Sequence, residues 1–114
     1  MNRGDVYWAE LIPRSGSEQT GRRPVIVMSH DAFNRAPGWR SVIVVPVTAS
    51  ASQARRGPTV VELGGGTGLA SPSYAICHQI TTLDRAKLTK RVGALTPEIL
   101  IAIENGLRSA MDFE

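Results

Sequence analysis

Cysteine is nearly absent from this 114-residue chain: Cys77 stands alone. A lone cysteine cannot close an internal disulfide, and with no C-x-x-C spacing there is no sign of a structural zinc site, so a reducing, cytoplasmic setting is expected. Histidine is scarce too, with only His30 and His78, so a two-histidine acid–base pair would have to be made by tertiary contact alone. Aromatic residues make up 5%, few for the aromatic grooves of peptide-binding adaptors. No apolar run approaches the ~18 residues of a membrane helix, and the opening Met1-Asn2-Arg3-Gly4-Asp5 lacks the apolar stretch of a signal peptide. The sequence therefore predicts neither export nor membrane insertion, which also removes any adhesive role for the tripeptide Arg3-Gly4-Asp5. The length fits one domain, residues 1–114, large enough to bury a core without covalent staples.

The residues that are present are unevenly charged. Residues 1–58 hold eight arginines, no lysine and four acids, a balance of 8 − 4 = +4. Residues 59–114 hold five bases and six acids, a balance of −1. The planar guanidinium matches phosphate oxygens bidentately, whereas lysine offers a point charge, so the first half favours a phosphate-bearing partner. A solvated face from arginine-rich codon usage would give the same count.

Hydrophobic patterning predicts a mainly β protein with helices, an α+β chain built as a small barrel with a C-terminal α-helix. Asp5 to Leu11 alternates with both faces partly apolar, as in a barrel strand. Pro13 to Arg23 is a polar connector too long for a tight turn. Pro24–Met28 is a β-branched run, after which Ser29 can cap a single helical turn through Phe33. Ser41–Val47 is a further strand, with Pro46 placing it near an edge or a bulge. Thr59–Leu63, Tyr74–Ile80 and, with weaker alternation, Leu88–Leu95 complete five or six strands. Thr96 as N-cap and Pro97 at the first position open a helix whose stripe Ile99, Leu100, Ile103, Leu107, Ala110 and Met111 faces the core.

Several motifs fail on spacing. Gly64-Gly65-Gly66-Thr67-Gly68-Leu69 lacks the third glycine of a dinucleotide loop and the Lys-Ser/Thr of a P-loop, so it reads as a flexible surface loop. No G-x-S-x-G occurs. Cys77 and His78, adjacent on a predicted strand, point to opposite faces and cannot act together. What remains is Ser17, Glu18, Gln19, Arg22 and Arg23 in one connector, with Thr48, Ser50 and Ser52 beyond a buried strand. Guanidiniums and hydroxyls at strand ends can grip a phosphate and stabilise charge on it. The scattered acids do not suggest a two-metal site, so phosphodiester chemistry here is expected to need no metal or cofactor and to favour RNA, whose 2′-hydroxyl supplies the nucleophile. Arg23 as a plain loop residue and Thr48 as a turn cap remain open from these residues alone.

The blocks Arg3-Gly4-Asp5-Val6-Tyr7-Trp8, Gly16-Ser17-Glu18-Gln19-Thr20-Gly21-Arg22-Arg23-Pro24-Val25-Ile26-Val27, Val45-Pro46-Val47-Thr48 and Cys77-His78-Gln79-Ile80-Thr81-Thr82-Leu83-Asp84 resemble, in order, those of the MazF/PemK toxin family. The resemblance runs through the C-terminal helix. It implies an SH3-like barrel, a homodimer, and a type II toxin that is a metal-independent, sequence-specific endoribonuclease on single-stranded mRNA, leaving 2′,3′-cyclic phosphate and 5′-hydroxyl ends. It also implies a cognate antitoxin whose disordered acidic segment occupies the RNA groove, and a DNA-binding toxin–antitoxin complex. Carried over by position, the family's essential arginine before proline falls on Arg23, and its essential threonine or serine on Thr48. Glu18, Gln19 and Gln79 match residues bordering the RNA groove, joined there by Ser17, Arg22 and Ser50. His78 stands where an acid is commoner. The alternative is a non-catalytic nucleic-acid-binding barrel acting as a transcriptional co-repressor.

Overall fold

The computed structural model describes residues 1–11, 21–50, 52 and 57–113. Seven strands form an antiparallel sheet: β1 (Asp5–Leu11), β2 (Gly21–Val27), β3 (Ser41–Thr48), β4 (Val60–Glu62), β5 (Tyr74–Ile76), β6 (Thr81–Asp84) and β7 (Leu88–Ala94). Among the described residues two α-helices join them, the single turn α1 (Asp31–Asn34) and α2 (Pro97–Met111). The path β4-β5-β3-β2-β1-β7 does not close among the described residues, and β6 lies off it, paired with β3. The mainly antiparallel α+β class is as the sequence predicts. Among the described residues no helix is long and apolar enough to cross a membrane.

Period-two alternation explains why the central strands are apolar on both sides. Val6, Ile26, Met28, Val45 and Val47 join one core cluster with Leu63, Ala75, Cys77 and the α2 residues Ile103 and Leu107. Their neighbours Ala9, Leu11, Val25, Val42 and Val44 form a second, closed over by Met1, Tyr7, Leu83 and Leu88.

The run read as one strand, Tyr74–Ile80, is two elements. β5 stops at Ile76, and Cys77–Gln79 forms a 3₁₀ turn closed by Ile80 N–H donating to the Cys77 carbonyl at 3.2 Å. Ala75, Ile76 and Cys77 are all fully buried, as are Val25, Ile26 and Val27 in the unbroken β2, so burial alone does not mark where the strand ends. The turn lets β5 pair with Val47 and Thr48, and β6 with Ser41 to Val44, along the same β3. Pro46 lies between these stretches, where β3 changes partner. Its missing N–H is accommodated at a break in the ladder rather than at a sheet edge.

One cap differs from expectation. His30, not Ser29, caps α1, its Nδ1 accepting from Ala32 N–H at 2.9 Å. Ser29 is buried and donates to Asn34 Oδ1 at 2.5 Å, while Asn34 Nδ2 returns a bond to the Ser29 carbonyl at 2.8 Å. α2 begins as predicted, Thr96 Oγ1 accepting from Ile99 N–H at 3.3 Å with Pro97 behind it. Its stripe is core only through Leu107. α2 rests on the Cys77 turn and β4 around Gly106, and Met111, about 7.5 Å further along the axis, is exposed.

Candidate nucleic-acid cleft

Arg22 and Arg23 are strand residues, not loop residues. β2 begins at Gly21, and its ladder with β1 runs to Leu11↔Gly21, setting Glu10 opposite Arg22, Ala9 opposite Arg23 and Trp8 opposite Pro24. On its other side β2 meets β3 through Val25↔Pro46, Ile26↔Val45 and Val27↔Val44. The same register continued by two residues sets Arg23 against Thr48. Two neighbouring strands thus carry both side chains to one place, although they lie far apart in the chain.

That place is a cleft of about 200 Å³ lined by Arg23, Pro24, Thr48 and Trp8, with Leu69, Ala70, Ser71 and Ser73 completing the lining. Thr48 is 7% exposed, and its Oγ1 accepts from Ser50 N–H at 3.1 Å. That bond fixes the oxygen and leaves the hydroxyl hydrogen as the group the side chain can donate. Arg23 is exposed at the mouth. A guanidinium and a hydroxyl donor converging on an open cleft form a seat for an anion. Ser50 and Ser52 are exposed and share a hydroxyl–hydroxyl bond of 2.8 Å just beyond Thr48.

The glycine-rich segment is an exposed surface loop at Gly64, Gly65 and Gly66, as the sequence predicts, but it is docked at Thr67 and Gly68. A Cβ on Gly68 would lie 2.3 Å from the Val92 carbonyl oxygen, and one on Gly93 would lie 2.3 Å from that of Thr67. The two backbones can approach this closely only because both residues are glycine. Thr67 and Ser73 are buried, and Leu69 N–H donates to Thr67 Oγ1 at 3.3 Å. Docked in this way on β7, the segment holds Leu69 to Ser73 in the lining. A Gly-rich stretch carries no hint of such docking, because the signal lies in Gly93, 25 residues from Gly68.

Of the other predicted site residues, Ser17, Glu18 and Gln19 lie outside the described residues. Gln79 is half-buried in the 3₁₀ turn and stands apart from the cleft lining among the described residues. His78, in the same turn, pairs through Nδ1 with Thr59 Oγ1 at 2.7 Å. Cys77 is fully buried beneath it, and burial pushes its thiol up to about 11, which makes it a poor nucleophile. The expectation that Cys77 and His78 face apart holds, through a turn instead of a strand. Trp8 was missed. Its signal was an aromatic residue two positions out of register with an arginine on the paired strand: the Arg22 guanidinium lies over the Trp8 ring, 4.8 Å from its centroid.

Sequence and structure comparisons converge. The profile of the family described as "PemK-like, MazF-like toxin of type II toxin-antitoxin system" matches residues 2–111. "Endoribonuclease EndoA" of Bacillus subtilis (strain 168) is 36% identical over 112 residues, covering 97% of this chain and 94% of that protein. Among solved structures, an endoribonuclease in complex with its cognate antitoxin from Mycobacterial species superposes with a TM-score of 0.81 at 27% identity, over 100% of this chain and 97% of the other. MazF (Form-I) from Deinococcus radiodurans superposes with a TM-score of 0.80 at 26% identity, over 98% and 96%.

Proposed function

The chain belongs to the PemK-like, MazF-like toxin family of type II toxin–antitoxin systems; it is an endoribonuclease of that family, and we propose that it cuts single-stranded mRNA without a metal, at Arg23 and Thr48. The observation that supports this reading is that both residues line one cleft. Arg23 and Thr48 both offer hydrogen-bond donors, a set that suits an anionic phosphate. The nucleophile that fits is the substrate's own 2′-hydroxyl. Its attack on phosphorus gathers negative charge on the nonbridging oxygens, which Arg23 neutralises and to which Thr48 donates. Arg23 acts as a cation throughout, since a guanidinium does not give up its proton near neutral pH. The leaving group is the 5′-oxygen, so the products are a 2′,3′-cyclic phosphate and a 5′-hydroxyl end.

The same reading makes the protein a cytoplasmic homodimer of one-domain subunits whose cognate antitoxin lays an acidic, disordered segment along the RNA path. Arg22 and Arg23 attract carboxylates as readily as phosphates, so peptide and RNA compete. Incubating the purified protein with an end-labelled RNA pool in EDTA tests the proposal. Discrete cleavage that survives the chelator supports it. Binding without cleavage assigns the chain to the co-repressor class instead.

A further inference from the structure

Trp8 has no assigned part in the chemistry above, yet it lines the cleft with Arg23 and Thr48. Its backbone is held from both sides, by Pro24 in β2 and Lys90 in β7, and its carbonyl accepts from the Thr89 hydroxyl at 3.2 Å. The β1–β7 ladder slips between Val6 and Tyr7 and again between Trp8 and Ala9. Irregularities of this kind re-aim a side chain next to a functional site. Residues directly opposite in an antiparallel pair share a face, so Lys90 lies on the same face of the sheet as Trp8, and Arg22 lies over the ring at 4.8 Å. An aromatic ring with a guanidinium over it, a lysine on the same face and a place in the cleft lining beside Arg23 has the composition of a single-strand binding surface.

We propose that Trp8 is a nucleobase-stacking subsite: one base flanking the scissile phosphate lies on the indole, while Arg22 and Lys90 engage the neighbouring phosphates. In the free protein the Arg22 guanidinium keeps the ring in place by the same cation–π attraction. A π-face accepts every base, so Trp8 anchors the strand without choosing its sequence. Its contribution is therefore to binding and not to the chemical step. This inference rests on the endoribonuclease reading.

The experiment uses an RNA that the protein cuts, remade with 2′-O-methyl riboses so that it binds without reacting. Trp39 lies in a separate stacked pair with Phe33, and replacing it (Trp39→Phe) leaves Trp8 as the only fluorophore of its kind. Binding of the 2′-O-methyl strand, followed independently by anisotropy of a labelled end, should quench Trp8. The same strand with an abasic site at one position flanking the cut should bind more weakly and fail to quench. In the cleavage assay Trp8→Ala should raise KM roughly 5- to 150-fold, the range expected for one stacked base, with kcat little changed, and Trp8→Phe should restore much of the loss. Far-UV circular dichroism checks that Trp8→Ala still folds; the abasic experiment needs no change at Trp8. Binding by anisotropy without quenching, quenching that ignores every abasic position, or a fall in kcat at unchanged KM overturns the subsite while the nuclease assignment stands. If no RNA is cut and no strand binds, both readings fall.

Discussion

Gly106 sits where α2 meets the sheet, and replacing it with alanine has a sign that the structure decides. In the interior of a helix alanine is favoured over glycine by about 0.8–1 kcal/mol, so an exposed site would gain stability. Here the new Cβ would lie 2.6 Å from Cys77 Sγ, 3.2 Å from Val61 Cγ2 and 3.4 Å from Cys77 Cβ. Cys77 is fully buried, and its thiol faces the Ile103 carbonyl at 3.8 Å, so the sulfur cannot swing into open space. Overpacking of a close-packed core costs about 1–3 kcal/mol, and the balance is a net loss near 1 kcal/mol, or about 4 °C in Tm for a domain of this size. Removing the sulfur with Cys77→Ala leaves only ordinary or slightly tight contacts at 3.2–3.4 Å. In that background Gly106→Ala should recover its propensity gain of about 1 kcal/mol, so the two changes couple by about 2 kcal/mol. Urea unfolding of the wild type, both single variants and the double variant, followed by circular dichroism at constant m, measures the cycle. Gly106→Ala that stabilises the wild type by its full propensity gain, or destabilises both backgrounds equally, would refute the proposed contact.

The remaining predictions concern the cleft, the acid limb and the thiol. Arg23→Ala and Thr48→Ala should each lower cleavage by ~100-fold or more, as loss of one transition-state donor does, with unchanged circular dichroism; Thr48→Ser keeps the hydroxyl and should recover most of the activity, and wild-type rates in either alanine variant would contradict the assignment. Asp84 is held below the usual carboxylate range by hydrogen bonds from Arg40 and from Ala86 N–H, and Asp31 by those from Arg3 N–H and Asn34. Both folded carboxyls are depressed, so their contribution is fully present above ~pH 4 and is lost as pH falls through the folded values. Tm measured from pH 6 to 2 should fall along the acid limb, less steeply in Asp84→Asn. Native Cys77, buried and with its thiol raised to about 11, should resist iodoacetamide at pH 8 until urea unfolds the chain; rapid stoichiometric labelling of folded protein would show the thiol to be accessible.

Legibility followed locality. α2 could be read because its signals sit within one or two turns of each other: Thr96 caps, Pro97 starts, and Ile103 and Leu107 repeat at helical spacing. Where the stripe failed, at Met111, the cause is the extent of the surface beneath the helix, which the helix's own sequence does not encode. β6 was hidden for a related reason. The stretch from Tyr74 to Ile80 is apolar enough to pass for one strand, and only the choice of partner, β5 with the end of β3 and β6 with its beginning, requires the break at Cys77.

The cleft shows the same division between what a residue is and where the sheet puts it. Arginine before proline and threonine after a buried strand were visible as chemistry suited to phosphate, but their convergence depends on β2–β3 register, which follows from packing both faces of both strands. Reading Arg22 and Arg23 as loop residues understated their rigidity. Placed in β2, the Arg23 backbone is held by its ladder with β1 before substrate arrives, and preorganised donors lose little in reorganisation when charge develops. The rest of the lining depends on a longer link, since Leu69 to Ser73 reach the cleft only because Gly68 and Gly93 let two backbones touch. A substituent at Gly93 would therefore displace the Thr67–Gly68 backbone, and with it the lining from Leu69 to Ser73, without altering any residue that meets the phosphate. In this fold the geometry of the reaction is set partly from β7, a strand that contributes no described residue to the lining of the cleft.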